Sequence, residues 1–174
     1  MLLKRISIFS APYLVRELTE KDLSQMLELE KSQSTYLKLQ GKQNLTIEEI
    51  KSDLTSIPLS VKSEQKWTLG FFKADKLVAM IDFLTDYPEV QSIWIGLLLV
   101  SKNEEQQGIA THLLKALFKS FKSEQFTNVQ MLKYEQEEVN QKLLGKFNFT
   151  DKQSLILKSH DGVDIPAILS KLDL

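Results

Sequence analysis

The run Ser92-Ile93-Trp94-Ile95-Gly96-Leu97-Leu98-Leu99-Val100 is apolar at odd and even positions alike, and a polar turn separates it from a helical segment opened by Gly108. Successive side chains of a strand point to opposite faces, so a strand with no polar face must be covered on both sides, in the middle of a sheet. The run is far too short to cross a bilayer, which takes about 20 apolar residues in a helix. From about Gly108 to Lys122, the residues Leu113, Leu114, Leu117, Phe118 and Phe121 recur at helical spacing and predict an amphipathic helix.

The remaining elements follow from caps and periodicity. Val15-Arg16-Glu17-Leu18 predicts a short opening strand. Thr19 with Asp22 three residues on predicts a helix start before the stripe Leu23, Met26, Leu27 and Leu29. Thr46 and Glu49 predict a second capping box, opening a helix that Pro58 ends. The strand-like runs from Trp67 to Phe72 and from Leu77 to Leu84, joined by the polar tip Lys73-Ala74-Asp75-Lys76, predict a hairpin. Val129 to Leu132 supplies a further strand and Glu137 to about Gly145 another helix. Leu155 to Leu157 with Ile165 to Leu169 form a closing pair of strands. This order predicts one α+β domain over residues 1–174, with a mixed, mostly antiparallel sheet of six to seven strands and about four helices.

Composition narrows the chemistry. At 174 residues the chain has the length of one ordinary domain, and a net charge of −1 provides no global field for nucleic acid or an anionic membrane. Neither is expected as a partner. With no Cys there is no thiolate nucleophile and no disulfide; the two histidines, His112 and His160, offer no metal-ligand spacing, so no metal is expected. The first residues lack a long apolar segment with a cleavage site, and the expected location is the cytoplasm.

An anionic ligand must therefore be held by a local device. The first amides of a helix have no intrahelical acceptor, and with the helix dipole they form a receptor for phosphate. Gly108 lets a backbone come close, and Ala110 is the next smallest choice. A pyrophosphate is thus expected against Gln107, Gly108, Ile109, Ala110 and Thr111. On this segment alone, an ordinary strand-to-helix connection opened by glycine fits equally well.

The order of elements, and Leu98-Leu99-Val100 followed by Glu105-Gln106-Gln107-Gly108-Ile109-Ala110, resembles the GNAT superfamily of N-acetyltransferases. Its signature reads Arg or Gln, two residues, Gly, one residue, Gly or Ala. Gly108 and Ala110 match it, whereas Glu105 stands in the first position, where replacement by Arg is expected to tighten binding; the resemblance leaves the side-chain contact to the pyrophosphate to Gln106 or Gln107. The resemblance runs from about Tyr13 to the C-terminus; Gly145-Lys146-Phe147-Asn148-Phe149 is similar to a late turn of the family, with Asn148 in a left-handed glycine position.

This resemblance implies acetyl-CoA as co-substrate and a small-molecule or peptide amine as acceptor, in a monomer or homodimer. It places the pantetheine arm along Leu98, Leu99 and Val100, where the central strand parts from its neighbour and leaves backbone groups unpaired. The amine attacks the thioester directly, accelerated by positioning and by a backbone amide at the oxyanion. Trp94 and Leu144 occupy the places of the family's usual base and acid. Tyr134 is the candidate for protonating the departing thiolate. Asn140 is a candidate for binding the coenzyme, and Asp82, Asp86, Glu89 and Glu137 are candidates for accepting a proton. His112 is expected to face solvent or the adenine, and Lys115, Lys119 and Lys122 the solvent or the 3′-phosphate. Glu105, Trp94 and Leu144 together keep open a second reading, a catalytically degenerate acyl-CoA-binding sensor or interaction module.

Overall fold

The computed structural model describes residues 1–42 and 44–174. In chain order the helices are α1 (Leu2–Phe9), α2 (Leu23–Ser32), α3 (Ser34–Leu39), α4 (Ile47–Thr55), α5 (Ile109–Ser123) and α6 (Glu138–Leu144). The strands are β1 (Leu14–Glu17), β2 (Lys66–Lys73), β3 (Lys76–Thr85), β4 (Ser92–Val100), β5 (Asn128–Tyr134), β6 (Thr150–Lys158) and β7 (Asp164–Asp173). They form one seven-stranded sheet in the order β1-β2-β3-β4-β5-β7-β6, in which β4 and β5 are parallel and the other neighbours antiparallel.

The mixed, mostly antiparallel sheet is the one expected, with β4 at its centre. Its two faces are covered by different helices. Ile6 of α1 and Leu113, Leu114, Leu117 and Phe121 of α5 pack with Phe71, Ile81, Phe83, Ile93 and Val129 on one side. Met26 and Leu29 of α2, Leu37 of α3 and Ile50 of α4 pack with Phe72, Leu77, Met80 and Leu99 on the other.

Both expected capping boxes are formed. The Asp22 carboxylate accepts from the Thr19 amide and the Glu49 carboxylate from the Thr46 amide, satisfying donors that open the turns. The first box opens a short 3-10 turn, Glu20–Asp22, that leads into α2. Six helices stand where about four were expected. The two extra ones are α1, whose buried Leu2 and Ile6 are one turn apart, and the six-residue α3, whose single buried residue is Leu37. Asn148 is not among the described residues with positive φ; the turn closes instead through Lys146 and Phe147 amides donating to the Leu143 and Leu144 carbonyls, so no left-handed residue is needed there.

Two irregularities of β4 shape what lies above it. Asp82 of β3 faces Leu97 while Phe83 faces Ile95, so Gly96 has no opposite residue and forms a bulge. A Cβ at Gly96 would lie 3.3 Å from Asp82 Oδ1, so the residue must be small for the carboxylate to stay in place. The second irregularity is the parting of β4 from β5. Their ladder runs only from Ser92↔Asn128 to Ile95↔Met131; beyond it Leu132, Lys133 and Tyr134 pair with β7 alone, and Leu97 to Val100 with β3 alone.

Candidate active site

The gap between the parted strands is a narrow cleft of about 60 Å³, lined by Ile95 to Leu99 on one side and by Met131, Leu132 and Tyr134 on the other, with Tyr36, Glu137 and Asn140 at its rim. The facing edges of β4 and β5 here carry peptide groups that no strand pairs, which suits a ligand that itself bears amides. The structure brings together Leu98, Leu99, Tyr134 and Asn140 around this cleft. Val100 lies just past it, its carbonyl accepting from Gln33 Nε2 at 2.5 Å.

The strand then runs through a 3-10 turn, Lys102–Glu104, to the start of α5. Gln106 has φ 62° and Gly108 φ 77°, two left-handed residues that turn the backbone over the helix end. The His112 amide donates to the Gly108 carbonyl and starts the helical ladder, so the amides of Ile109, Ala110 and Thr111 stand at its open end, where an anion is best received. The side chains of Gln106 and Gln107 are exposed, and nothing lies within 4 Å of a Cβ built on Gly108; the glycine is required by its backbone angle and by space left open in front of the loop.

Glu105 does not face that space. Its Oε1 accepts from Gln33 Nε2 at 2.8 Å and its Oε2 from Lys102 Nζ at 2.8 Å. Partial burial works against its charge, but the bonds from Lys102 and Gln33 outweigh it and hold the carboxyl below its ordinary value. The acid is thus a brace between the loop and the α2–α3 junction, with its charge matched by Lys102.

The Tyr134 hydroxyl is pushed above its ordinary pKa by burial, with Gln40 pulling the other way and Glu137 adding to the rise, so it keeps its proton at neutral pH. Asn140 Nδ2 donates to Glu137 Oε2 at 3.1 Å; burial raises Glu137 and that bond lowers it, for a net rise. Other sequence candidates lie elsewhere. Asp86 and Glu89 sit on the exposed turn at the opposite end of β4, Asp86 accepting from the Gln91 amide and Glu89 from Lys171. Leu144 is 2% exposed in the core and has no access to the cleft. Trp94 lines the closed end of the cleft, edge-on to Tyr87. His112 is exposed beside Tyr13, and Lys119 lies over the Phe9 ring at 4.1 Å, which ties it to α1.

A second cavity, about 260 Å³, adjoins the cleft, and Tyr36, Gly96 and Leu97 line both. It lies among α2, α4 and the strands β2 and β3. Its charged lining is Glu30, Asp53 and Asp82 with Lys42 and Lys66; its apolar walls are Met26, Leu54, Met80 and Ile81. Lys66 pairs with Asp82 at 2.8 Å, which also accepts from Thr68 at 2.9 Å, and Lys42 pairs with Asp53 at 3.2 Å. Sequence reasoning reached Asp82 but missed Glu30 and Tyr36. Glu30 had a usable signal, since it stands one helical turn after Met26 on the buried stripe of α2, where a charged residue is out of place.

The model of the acetyltransferase (GNAT) family matches residues 23–149, and the chain belongs to that family. Its class is therefore that of acetyl-CoA-dependent N-acetyltransferases. Solved structures share the fold at low identity. The ribosomal-protein-S18-alanine N-acetyltransferase from Escherichia coli is 13% identical, with 92% of this chain and 93% of that one covered at a TM-score of 0.68. An acetyltransferase from Thermus thermophilus is 16% identical over 93% and 97%, at 0.70. An N-acetyltransferase from Staphylococcus aureus is 17% identical over 94% and 99%, at 0.67. No curated protein matches the sequence.

Proposed function

We propose that the chain acts in the cytoplasm as a single catalytic domain and transfers the acetyl group of acetyl-CoA to a primary amine of a small molecule or peptide by direct attack. The observation that carries this reading is the parting of β4 from β5 beside the open amides at the start of α5. The pyrophosphate is held by the backbone from Gln106 to Thr111, and the pantetheine lies along Leu98, Leu99 and Val100, its amides pairing with the peptide groups there that neither β3 nor Gln33 engages. The thioester then lies near Tyr134. The amine nitrogen bonds to the acetyl carbon, the carbon–sulfur bond breaks, the Tyr134 hydroxyl, protonated at neutral pH, gives its proton to the departing thiolate, and the proton shed by the new amide nitrogen restores the hydroxyl. Asn140 supports this corner through Glu137.

The test is thiol release from acetyl-CoA in the presence of a panel of polyamines, aminoglycosides, amino acids and peptides. Turnover with at least one amine, lowered in Tyr134→Phe without loss of CoA affinity, is the expected result. Tight CoA binding without thiol release for any amine would move the chain to a binding role.

A further inference from the structure

We propose that Glu30 is the group that receives the acceptor's ammonium and takes its proton, and that the acceptor is a small aliphatic amine carrying no carboxylate. This rests on the acetyl-transfer reading above and assigns the cavity that adjoins the cleft.

The geometry narrows the occupant in three ways. The cavity is about 260 Å³, below the range of roughly 300–1,000 Å³ typical of drug-sized ligands, and its walls of Met26, Leu54, Met80 and Ile81 suit an alkyl chain. Asp53 and Asp82 are paired with Lys42 and Lys66, which leaves Glu30 as the lining carboxylate without an ion pair among the described residues and leaves the lining short of one positive charge. A ligand ammonium supplies that charge, whereas a ligand carboxylate would meet Glu30 with both lysines already engaged. Finally, Tyr36, Gly96 and Leu97 line both this cavity and the cleft, so an amine seated in it lies beside the parted strands.

Glu30 is 3% exposed, and burial pushes its carboxyl up to about 7. Lys42 pulls it down, and Asp53 and Glu49 of α4 add to the rise. Tyr36 of α3 also faces it, with Lys66 and Asp82 across the cavity on β2 and β3. Just above neutrality Glu30 is a carboxylate matched to accept a proton. The ammonium gives one proton to Glu30; the neutral amine forms the bond to the acetyl carbon as the carbon–sulfur bond breaks, Tyr134 protonates the thiolate, and the second proton of the amine restores the Tyr134 hydroxyl. Glu30 then returns its proton to solvent.

The experiment measures kcat/KM between pH 5.5 and 9 for 1-aminopentane, 1,5-diaminopentane, lysine and a short peptide with a free α-amine, alongside CoA affinity by calorimetry. Wild type, Glu30→Gln and Glu30→Asp are compared. The alkylamines are expected to outpace lysine and the peptide, with an inflection near pH 7. Glu30→Gln should lose about a hundredfold in kcat/KM together with that inflection at unchanged CoA affinity, while Glu30→Asp keeps an inflection at a reduced rate. An unaltered rate and pH profile in Glu30→Gln would overturn the role of Glu30. Preference for the peptide or for lysine would overturn the acceptor class. Absence of CoA binding by the wild type would instead sink the acetyl-transfer reading itself, and this inference with it.

Discussion

A carboxylate that is 3% exposed and lacks an ion pair among the described residues works against the fold once it ionises. The folded pKa of Glu30 is raised above the ordinary value of 4.5, so its favourable contribution is complete below about 4.5 and is lost as pH rises through about 7. Above that, the charge costs on the order of 3 kcal/mol at most. Glu30→Gln should therefore raise Tm by several degrees at pH 8.5 and change it little at pH 4.5, measured by thermal denaturation. A residue that lowers stability in the empty protein is better explained by a ligand cation than by folding. Asp22 behaves in the opposite sense. The bond from Arg16 lowers its pKa against the opposing effect of burial, with the Thr19 amide assisting, and holds it at about 2. Its contribution is present above about 4 and is lost as pH falls through 2; allowing for the exposure of Arg16 it is roughly 1–2 kcal/mol. Arg16→Ala should move acid unfolding to higher pH, followed by circular dichroism. At this scale the sequence was informative where partners are near in the chain, as in Thr19 with Asp22 and Thr46 with Glu49. It was silent where they are distant: Glu30 acquires its surroundings from Lys42, in the turn after α3, and from Asp53, which the packing of α4 on α2 brings near.

The loop before α5 shows how one element can meet a family pattern and depart from it at once. Gly108 at φ 77° was legible from its place after a buried strand, but the second left-handed residue, Gln106, was not, since glutamine carries no mark of that conformation. Ala at Gly108 would clash with nothing yet be strained by about 1 kcal/mol, so Gly108→Ala should weaken CoA binding modestly, read by calorimetry. Glu105 reverses the expectation drawn from the sequence. Arginine there would place a cation beside Lys102 and end the bond from Gln33, freeing the loop from the α2–α3 junction. Glu105→Arg is thus expected to weaken CoA binding or leave it unchanged, and a clearly tighter complex at low salt would show that the brace is dispensable. Helix α1 escaped the sequence because Leu2 and Ile6 are separated by Lys4 and Arg5 and no side-chain cap marks its start; its ion pair from Arg5 to Glu124, the residue that caps the end of α5, joins segments distant in the chain.

Across the whole molecule, the proposed function rests on one strand, β4, that is covered on both faces and lines both cavities. The apolar run of β4 was recognisable as a central strand, and Gly96 within it is the kind of interruption that marks a bulge. What periodicity does not encode is that β4 would part from β5 after Ile95, because that depends on β5 continuing with β7 while β4 stays with β3. The central claim is that the gap so formed, with the open amides of α5, receives the coenzyme. It is tested most directly by the thermal midpoint of wild type and Gly108→Glu with and without CoA. A ligand at a hundred times its Kd stabilises the folded state by about 2.7 kcal/mol, so CoA should raise the wild-type midpoint by several degrees. Gly108→Glu, with a carboxylate set before the open amides, should fold and show no shift. A wild-type midpoint that does not respond to saturating CoA, or a folded Gly108→Glu that responds equally, would contradict the account.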